Sequence, residues 1–220
     1  MVPVYRNEVT LAALVRRLGA ALAGHDWTVR LVVDASPDGS AAEAARLAAA
    51  DPRVVPHLLE RNVGQHRALA LGLAEDDADA WVCLDADLQD PPEAVPLLLA
   101  RLPGVAAVFA GRRGSYESPL RLLSGRAHRA LVGRLSGLPP DAGAFLAMDR
   151  RGRDAVLHLG GPSLVAALGA SRLPVTSLPV ARARRPEGTS AWTTAGRVRH
   201  SARTLAWTLR ARSGSSREGR

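Results

Sequence analysis

The sequence predicts an α/β fold: a doubly wound, mostly parallel sheet flanked by helices, in a single domain. Three observations predict it. Short apolar runs rich in Val alternate with segments of helical apolar spacing through residue 110, at the interval of βαβ units. Polar clusters fall where those runs end, at Tyr5-Arg6-Asn7-Glu8, Asp34-Ala35-Ser36 and Asp85-Ala86-Asp87. In such sheets ligands bind outside the carboxyl ends of the strands, so the three clusters define one candidate site. Finally, a chain of 220 residues that is 47% apolar suits one domain with a full core.

Each element follows from its local pattern. Val2-Pro3-Val4-Tyr5 reads as a short strand, and Leu11, Leu14, Val15 and Leu18 behind it share one helix face. Trp27 to Asp34 reads as the second strand. Ser36-Pro37-Asp38-Gly39 is a turn, with Ser40 placed to cap the next helix. Val54 to Leu59 is the third strand, and Asn62 to Leu73 a loop entering a helix. Ala80 to Leu84, apolar without a break, reads as a fourth strand buried on both faces. Pro91-Pro92 forces a turn and starts a helix. Past Arg113 the pattern loosens. A helix is expected over Leu120 to Leu135, strands over Ala144 to Met148 and Leu173 to Val180, and a last amphipathic helix over Trp192 to Leu209 with Arg197, Arg199, Arg203 and Arg210. Residues 1–210 form the expected catalytic domain and 211–220 a flexible basic tail.

Composition narrows the classes. Aromatic residues make up only 4%, so the core must rest on Leu, Val and Ala. The lone Cys83 lies in an apolar run and reads as a small core residue, which fits a reducing compartment. Residues 1–10 lack the apolar stretch of a signal peptide, and the longest uncharged run, Ala155 to Ser171, is broken by Gly160-Gly161-Pro162, so no spanning helix is expected. The net charge is +8, every basic residue is Arg, and residues 182–220 hold ten arginines against two glutamates. Such an end attracts phosphate groups, anionic lipid or nucleic acid, and it also suits a solvated terminus.

The chemistry centres on Asp85-Ala86-Asp87-Leu88-Gln89. In extended chain alternate side chains share a face, so Asp85, Asp87 and Gln89 are spaced to point together. Two carboxylates and an amide oxygen suit Mg²⁺ or Mn²⁺, which also bind diphosphate oxygens. The ordinary alternative is a turn with exposed aspartates, and the place at the end of a buried strand favours the metal.

Asp85-Ala86-Asp87-Leu88-Gln89-Asp90-Pro91-Pro92 closely resembles the metal motif of family 2 glycosyltransferases, in the branch of dolichol-phosphate mannose synthase and bacterial polyprenyl-phosphate sugar transferases. Val2-Pro3-Val4-Tyr5 matches the first strand of that branch, and Val33-Asp34-Ala35-Ser36-Pro37-Asp38-Gly39-Ser40 its second motif. Arg61-Asn62-Val63-Gly64-Gln65-His66 looks like the Asn-x-Gly-Gln-His loop of the bacterial group. The resemblance implies a GT-A fold and a transfer that inverts the anomeric centre, from a nucleoside-diphosphate sugar to an acceptor. It implies that Pro3, Tyr5 and Asp34, with Asp85, line the donor pocket. It makes Asp85 and Asp87 catalytic and gives the metal to Asp85, Asp87 and Gln89. Arg112, Arg121 and Ser124 fall where the branch grips an acceptor phosphate, and Arg185 and Ser190 match its closing Arg-x-x-Gly-x-Ser segment. Four positions depart from the pattern: Asn7 for Glu, Val33 for a second Asp, Leu146 for Arg and Ala191 for Lys.

The acceptor class follows from chemistry. A sugar hydroxyl needs a general base, whereas a phosphate monoester is already anionic. Ala144 stands where some relatives carry Asp, and arginines abound in the second half, which favours a polyprenyl phosphate at the cytoplasmic, inner face of a membrane, with the anionic surface as a partner. His66 reads as lining the first turn of its helix, Arg112-Arg113 could be a solvated pair, and Trp192 and Trp207 read as core or interface anchors, which leaves room for a homo-oligomer. Other classes stay open: a glycosyltransferase acting on a saccharide hydroxyl, a nucleotidyltransferase, which would want a Gly-rich phosphate loop near the first strand, or a basic nucleic-acid-binding module. Nucleic acid is not the expected partner, because paired acids at the sheet edge repel phosphate without metal.

Overall fold

The computed structural model describes residues 1–75, 77–113, 137–182, 204, 206, 207, 210 and 211, with the backbone alone for Arg112 and Arg113. The elements run β1 (Val2–Val4), α1 (Glu8–Ala21), β2 (Val29–Val33), α2 (Ser40–Ala50), β3 (Val54–Leu58), α3 (Gln65–Glu75), β4 (Ala80–Cys83), a 3-10 turn (Pro92–Ala94), α4 (Val95–Arg101), β5 (Ala107–Arg113), β6 (Leu146–Asp149), α5 (Arg150–Leu159), α6 (Leu164–Ser171) and β7 (Val175–Ala181). The expected helices over 120–135 and 192–209 fall wholly or largely outside the described residues, as does the tail beyond 211.

β1, β2 and β3 pair in parallel, with Val2 opposite Leu31 and Val29 opposite Val54. A second group runs β4-β6-β5-β7, with β6 antiparallel to both neighbours and β5 parallel to β7. Met1 joins the two groups. Its nitrogen donates to the Val82 carbonyl at 2.7 Å and its carbonyl accepts from Leu84 N at 3.2 Å, the slanted pattern of a parallel pair. The sheet order is therefore β3-β2-β1-β4-β6-β5-β7, and every described strand except β6 points the same way. The expected doubly wound, mostly parallel sheet is borne out.

Alternation along each strand divides the core. Val2, Val4, Leu31, Val108 and Ala147 pack with Leu11, Leu14 and Leu98 under α1, α2 and α4. Trp81, Cys83, Phe109, Leu146 and Met148 pack with Leu69, Leu73, Val156 and Leu168 under α3, α5 and α6. Trp207 lies against this second cluster, as a core anchor should. Of the described buried apolar side chains only Trp81, Phe109 and Phe145 are aromatic, as the composition requires. By contrast, exposed ion pairs such as Arg46–Glu43 and Arg53–Asp51 add little, because water screens them.

One local reading is corrected. Ser40 does not cap α2. It is the first helical residue, fully buried, and Asp38 accepts from its N–H at 3.2 Å instead. Leu146, which stands where the family pattern has Arg, is fully buried between Cys83 and Phe109, where a guanidinium would lose its hydration.

Cys83 is a core residue as read. Burial pushes its thiol up to about 11, against the amino-terminal charge, which lowers it, and with a smaller push from the Asp85 charge. The thiolate is the nucleophile, so an alkylating reagent at neutral pH should leave Cys83 unmodified in the folded protein and label it fully in denaturant. Fast labelling of the native protein, read by intact mass, would show that this part of the core opens.

Candidate active site

Because the strands share a direction, the carboxyl ends of β1, β2, β4 and β5 meet at one edge of the sheet. β6 enters from that edge, so the loop before it lies there too. The loops after β1 and β2 interlock. Tyr5 N donates to Asn7 Oδ1 at 3.0 Å, Arg6 N to Ser36 Oγ at 2.7 Å and Asn7 N to Ser40 Oγ at 3.1 Å. Glu8 N donates to Asp38 Oδ2 at 3.3 Å while the Glu8 carboxylate accepts from Gly39 N at 2.9 Å. α1 thus receives a carboxylate from the loop before α2, and α2 receives one from the first residue of α1, each at the end where unpaired N–H groups need one. Asn7, a departure from the family pattern, is a turn-former here. Val33, another, is buried in the core, where a second aspartate would be stranded.

Asp38 shows which effect wins in this network. Burial pushes its carboxyl up, but hydrogen bonds from the Ser36 and Ser40 hydroxyls and the Ser40 and Glu8 N–H groups outweigh it, leaving it below the ordinary carboxylate value. A depressed folded pKa stabilises the fold above the ordinary value, and that contribution is lost as pH falls through the folded one.

Asp34 is buried at 3% exposure, and its two oxygens accept from Val63 N at 2.7 Å and Gly64 N at 2.8 Å. Asn62 Nδ2 adds a bond to the Asp34 carbonyl at 3.1 Å. Gly64 has φ +86°, a conformation that glycine adopts without a Cβ penalty, and its carbonyl accepts the Ala68 N–H that starts α3. The loop is thereby clamped, and Gln65, the next residue, donates from Nε2 to Asp85 Oδ1 at 2.6 Å. A chain of contacts runs from β2 through the loop to the end of β4.

Asp85, Asp87 and Gln89 do lie at that strand end, but not through strand alternation. β4 ends at Cys83, and Ala86-Asp87 form a turn in which Asp87 Oδ1 accepts from Gln89 N at 3.1 Å and Leu88 has φ 59°. Asp90, 4% exposed, accepts from Asp85 N at 3.4 Å. Arg182, which follows β7, reaches both acids: its Nε is 3.0 Å from Asp90 Oδ1 and its Nη2 is 3.5 Å from Asp85 Oδ2. Of the four described non-glycine residues with positive φ, Arg6, Ala35 and Leu88 sit in these three loops. Left-handed backbone is costly outside glycine, and here it is concentrated at the candidate site.

The other predicted site residues fall as follows. Pro3 lies in β1 opposite Val32, Tyr5 is 38% exposed with the Arg6 guanidinium 5.7 Å from its ring, and His66 lies half-buried on the first turn of α3. The backbone of Arg112 lies in β5 at the same sheet edge. Arg121, Ser124, Arg185, Ser190, Ala191 and Trp192 lie outside the described residues. Sequence reasoning missed Gln65, Asp90, Arg182 and Asp141. Asp141, in the loop before β6, presses its carboxylate on Gly111 of β5, where any Cβ would collide with it, and its Oδ1 is buried without a hydrogen-bond partner. Adjacent strands lie about 4.8 Å apart, so Gly111, two strands from Asp85, is on the order of 10 Å from it.

The donor set fits a hard divalent cation. No group of three His, Cys, Asp or Glu side chains forms a metal cluster among the described residues. Mg²⁺ and Mn²⁺ sites that handle phosphates need only one or two carboxylates, since substrate oxygens and water complete the shell, and the turn supplies two carboxylates and an amide oxygen.

The fold matches a known class. Residues 1–143 match the model of Glycosyl transferase family 2, and the chain belongs to that family. Among curated proteins it is 35% identical over 156 residues to undecaprenyl-phosphate 4-deoxy-4-formamido-L-arabinose transferase of Salmonella paratyphi A, covering 69% of this chain and 48% of that one. The same transferase of an Enterobacter species is 38% identical over 165 residues, covering 72% and 50%. The chain thus spans about half the length of these relatives. In fold it is similar to glucosyl-3-phosphoglycerate synthase of Mycobacterium tuberculosis in complex with Mn²⁺, UDP-glucose and phosphoglyceric acid, at TM-score 0.69 and 19% identity, covering 96% of this chain and 78% of that one. A mannosyltransferase of Pyrobaculum calidifontis in complex with GDP-Man and Mn²⁺ aligns at TM-score 0.59 and 16% identity, over 97% and 72%. The GT-A expectation holds. No helix among the described residues is long and apolar enough to cross a membrane.

Proposed function

We propose that this chain is the catalytic domain of an inverting glycosyltransferase that moves a sugar from a nucleoside-diphosphate sugar to a polyprenyl phosphate. The observation that carries the reading is the contact chain Asp34–loop 62–64–Gln65–Asp85, which holds the acidic turn at the same sheet edge as Tyr5. The named function of the curated relatives supports the acceptor class, and the nucleotide sugars and Mn²⁺ of the structural neighbours support the donor and the metal.

Pro3, Tyr5 and the Asp34 loop would face the nucleoside. Asp85, Asp87 and Gln89 would hold Mg²⁺ or Mn²⁺, which when bound offsets the charge that builds on the departing nucleoside diphosphate. Gln65 fixes the rotation of the Asp85 carboxylate, so little reorganisation is needed when donor arrives. Arg112, Arg121, Ser124, Arg185 and Ser190 would grip the acceptor phosphate. That phosphate is already anionic, so the chain must position it rather than deprotonate it. The arginine-rich residues 182–220 suit the anionic inner face of the cytoplasmic membrane, where the lipid resides.

A second reading has one observation in its favour. Asp141 is a carboxylate at the correct edge of the sheet, and a base there would suit a saccharide hydroxyl. One experiment separates the two. The protein is given a nucleotide-sugar panel with Mn²⁺ and either polyprenyl phosphate in neutral or anionic vesicles, or soluble saccharides. Transfer to the lipid phosphate is expected, faster on anionic vesicles and slowed by salt. Arg121→Ala should weaken acceptor binding about tenfold or more with donor binding retained, since a charge-assisted bond is worth about 1.5–3 kcal/mol. Asp141→Asn should leave lipid transfer nearly unchanged. Transfer to a soluble saccharide alone, abolished by Asp141→Asn, would replace the acceptor class. Equal loss of donor and acceptor binding in Arg121→Ala would remove that residue from the acceptor site.

A further inference from the structure

Asp85 and Asp90 are two carboxylates in one short turn, and Asp90 is almost wholly shielded, with its side chain 6% exposed. A buried carboxylate without a counter-charge is strongly unfavourable. Arg182 supplies that charge from the far end of the sheet order, 97 residues away in sequence, with a side chain only 16% exposed. Its two contacts are unequal. The contact to the shielded Asp90 is 3.0 Å, and the one to the more open Asp85, whose side chain is 25% exposed, is 3.5 Å.

We infer that Arg182 is a built-in counter-ion of the metal site: its guanidinium competes with the divalent cation for Asp85, while Asp90 anchors it beside the site. The inference rests on the proposed metal role of Asp85. Arg182 and a divalent cation answer the same need at the Asp85 carboxylate. An incoming cation must displace the long hydrogen bond to Asp85. The closer contact to Asp90 is an ion pair in which Nε is not aligned to donate, and its charge attraction keeps the guanidinium beside the site. Arg182 is thus a positioning residue that sets how tightly the cation is held, and Asp90 acts through it.

Mn²⁺ binding by the whole chain, followed by calorimetry and by the loss of the free-ion EPR signal, tests this without recourse to activity. Arg182→Gln should bind Mn²⁺ more tightly by about tenfold, the order of one charge-assisted contact. Asp90→Asn alone should bind it more weakly, because the guanidinium then loses one competing carboxylate charge and pairs more closely with Asp85. In the Arg182→Gln background Asp90→Asn should change little further, a non-additivity that marks coupled residues. That double variant also removes the stranded Asp90 charge and serves if Arg182→Gln alone fails to fold. Arg150→Gln, which removes an exposed arginine paired with Asp77, is the control for net charge and should leave Mn²⁺ affinity as in the parent. Unchanged or weaker Mn²⁺ binding in both Arg182 variants overturns the inference while the metal reading stands. Failure of the parent to bind Mn²⁺ at all overturns both.

Discussion

Replacing Asp34 by alanine is expected to destabilise the protein by about 3 kcal/mol or more and to abolish metal-dependent donor binding, the two losses having one cause. The carboxylate accepts from two backbone N–H groups in a buried setting. Hydrogen bonds to a charged group contribute about 1.5–3 kcal/mol each, and truncation leaves both donors unsatisfied. The loop 62–64 then loses its clamp, and with it goes the placement of Gln65 against Asp85. Asp34→Asn separates the parts. An amide keeps one acceptor but sets a second donor against a backbone N–H, so it should cost nearly as much stability. Denaturant titration gives the stability and donor titration with Mn²⁺ gives the binding. A variant as stable as the parent would show that the clamp is not what holds this loop.

The second large effect is expected at Asp87, and there function and stability should part. Asp87 is only half-buried, in the turn at the rim of the site and outside the apolar core. Asp87→Ala should therefore unfold close to the parent temperature. In the parent, a nucleoside diphosphate at a hundredfold excess over Kd adds about 2.7 kcal/mol. For a chain of this size that raises Tm on the order of 5–10 °C. Asp87→Ala should lose that rise completely. Retention of the full rise would remove Asp87 from the metal site.

Much of this was legible before any coordinates. β1, β2, β3 and β4 lie within two residues of their expected bounds at either end, because apolar runs bounded by turn residues and short spacers leave little freedom. The expected β6 and β7 start two residues early and end one residue early, and the helices α5 and α6 are not anticipated, since the apolar run with Gly160-Gly161-Pro162 reads only as a broken membrane segment. The site was legible as residue types and not as geometry. Strand alternation was the wrong reason for grouping Asp85, Asp87 and Gln89: the chain turns at Ala86, and a left-handed Leu88 carries the turn. The resemblance puts Asp34 in the donor pocket, and nothing in the sequence signals that its carboxylate also clamps the backbone of the next loop. Arg182 and Asp141 carried no signal in sequence. Their partners are brought near by the sheet order, and Asp141 lies three residues before Ala144, the position where some relatives carry Asp.

The central claim is that the Asp85-Ala86-Asp87 turn forms a metal-dependent site for a nucleotide sugar. The most direct measurement is thermal unfolding of the parent with a nucleoside diphosphate, once with Mn²⁺ and once with excess chelator. The account predicts a clear rise in Tm with Mn²⁺ and none with chelator. An equal rise in both, or none in either across the common nucleoside diphosphates, would contradict it.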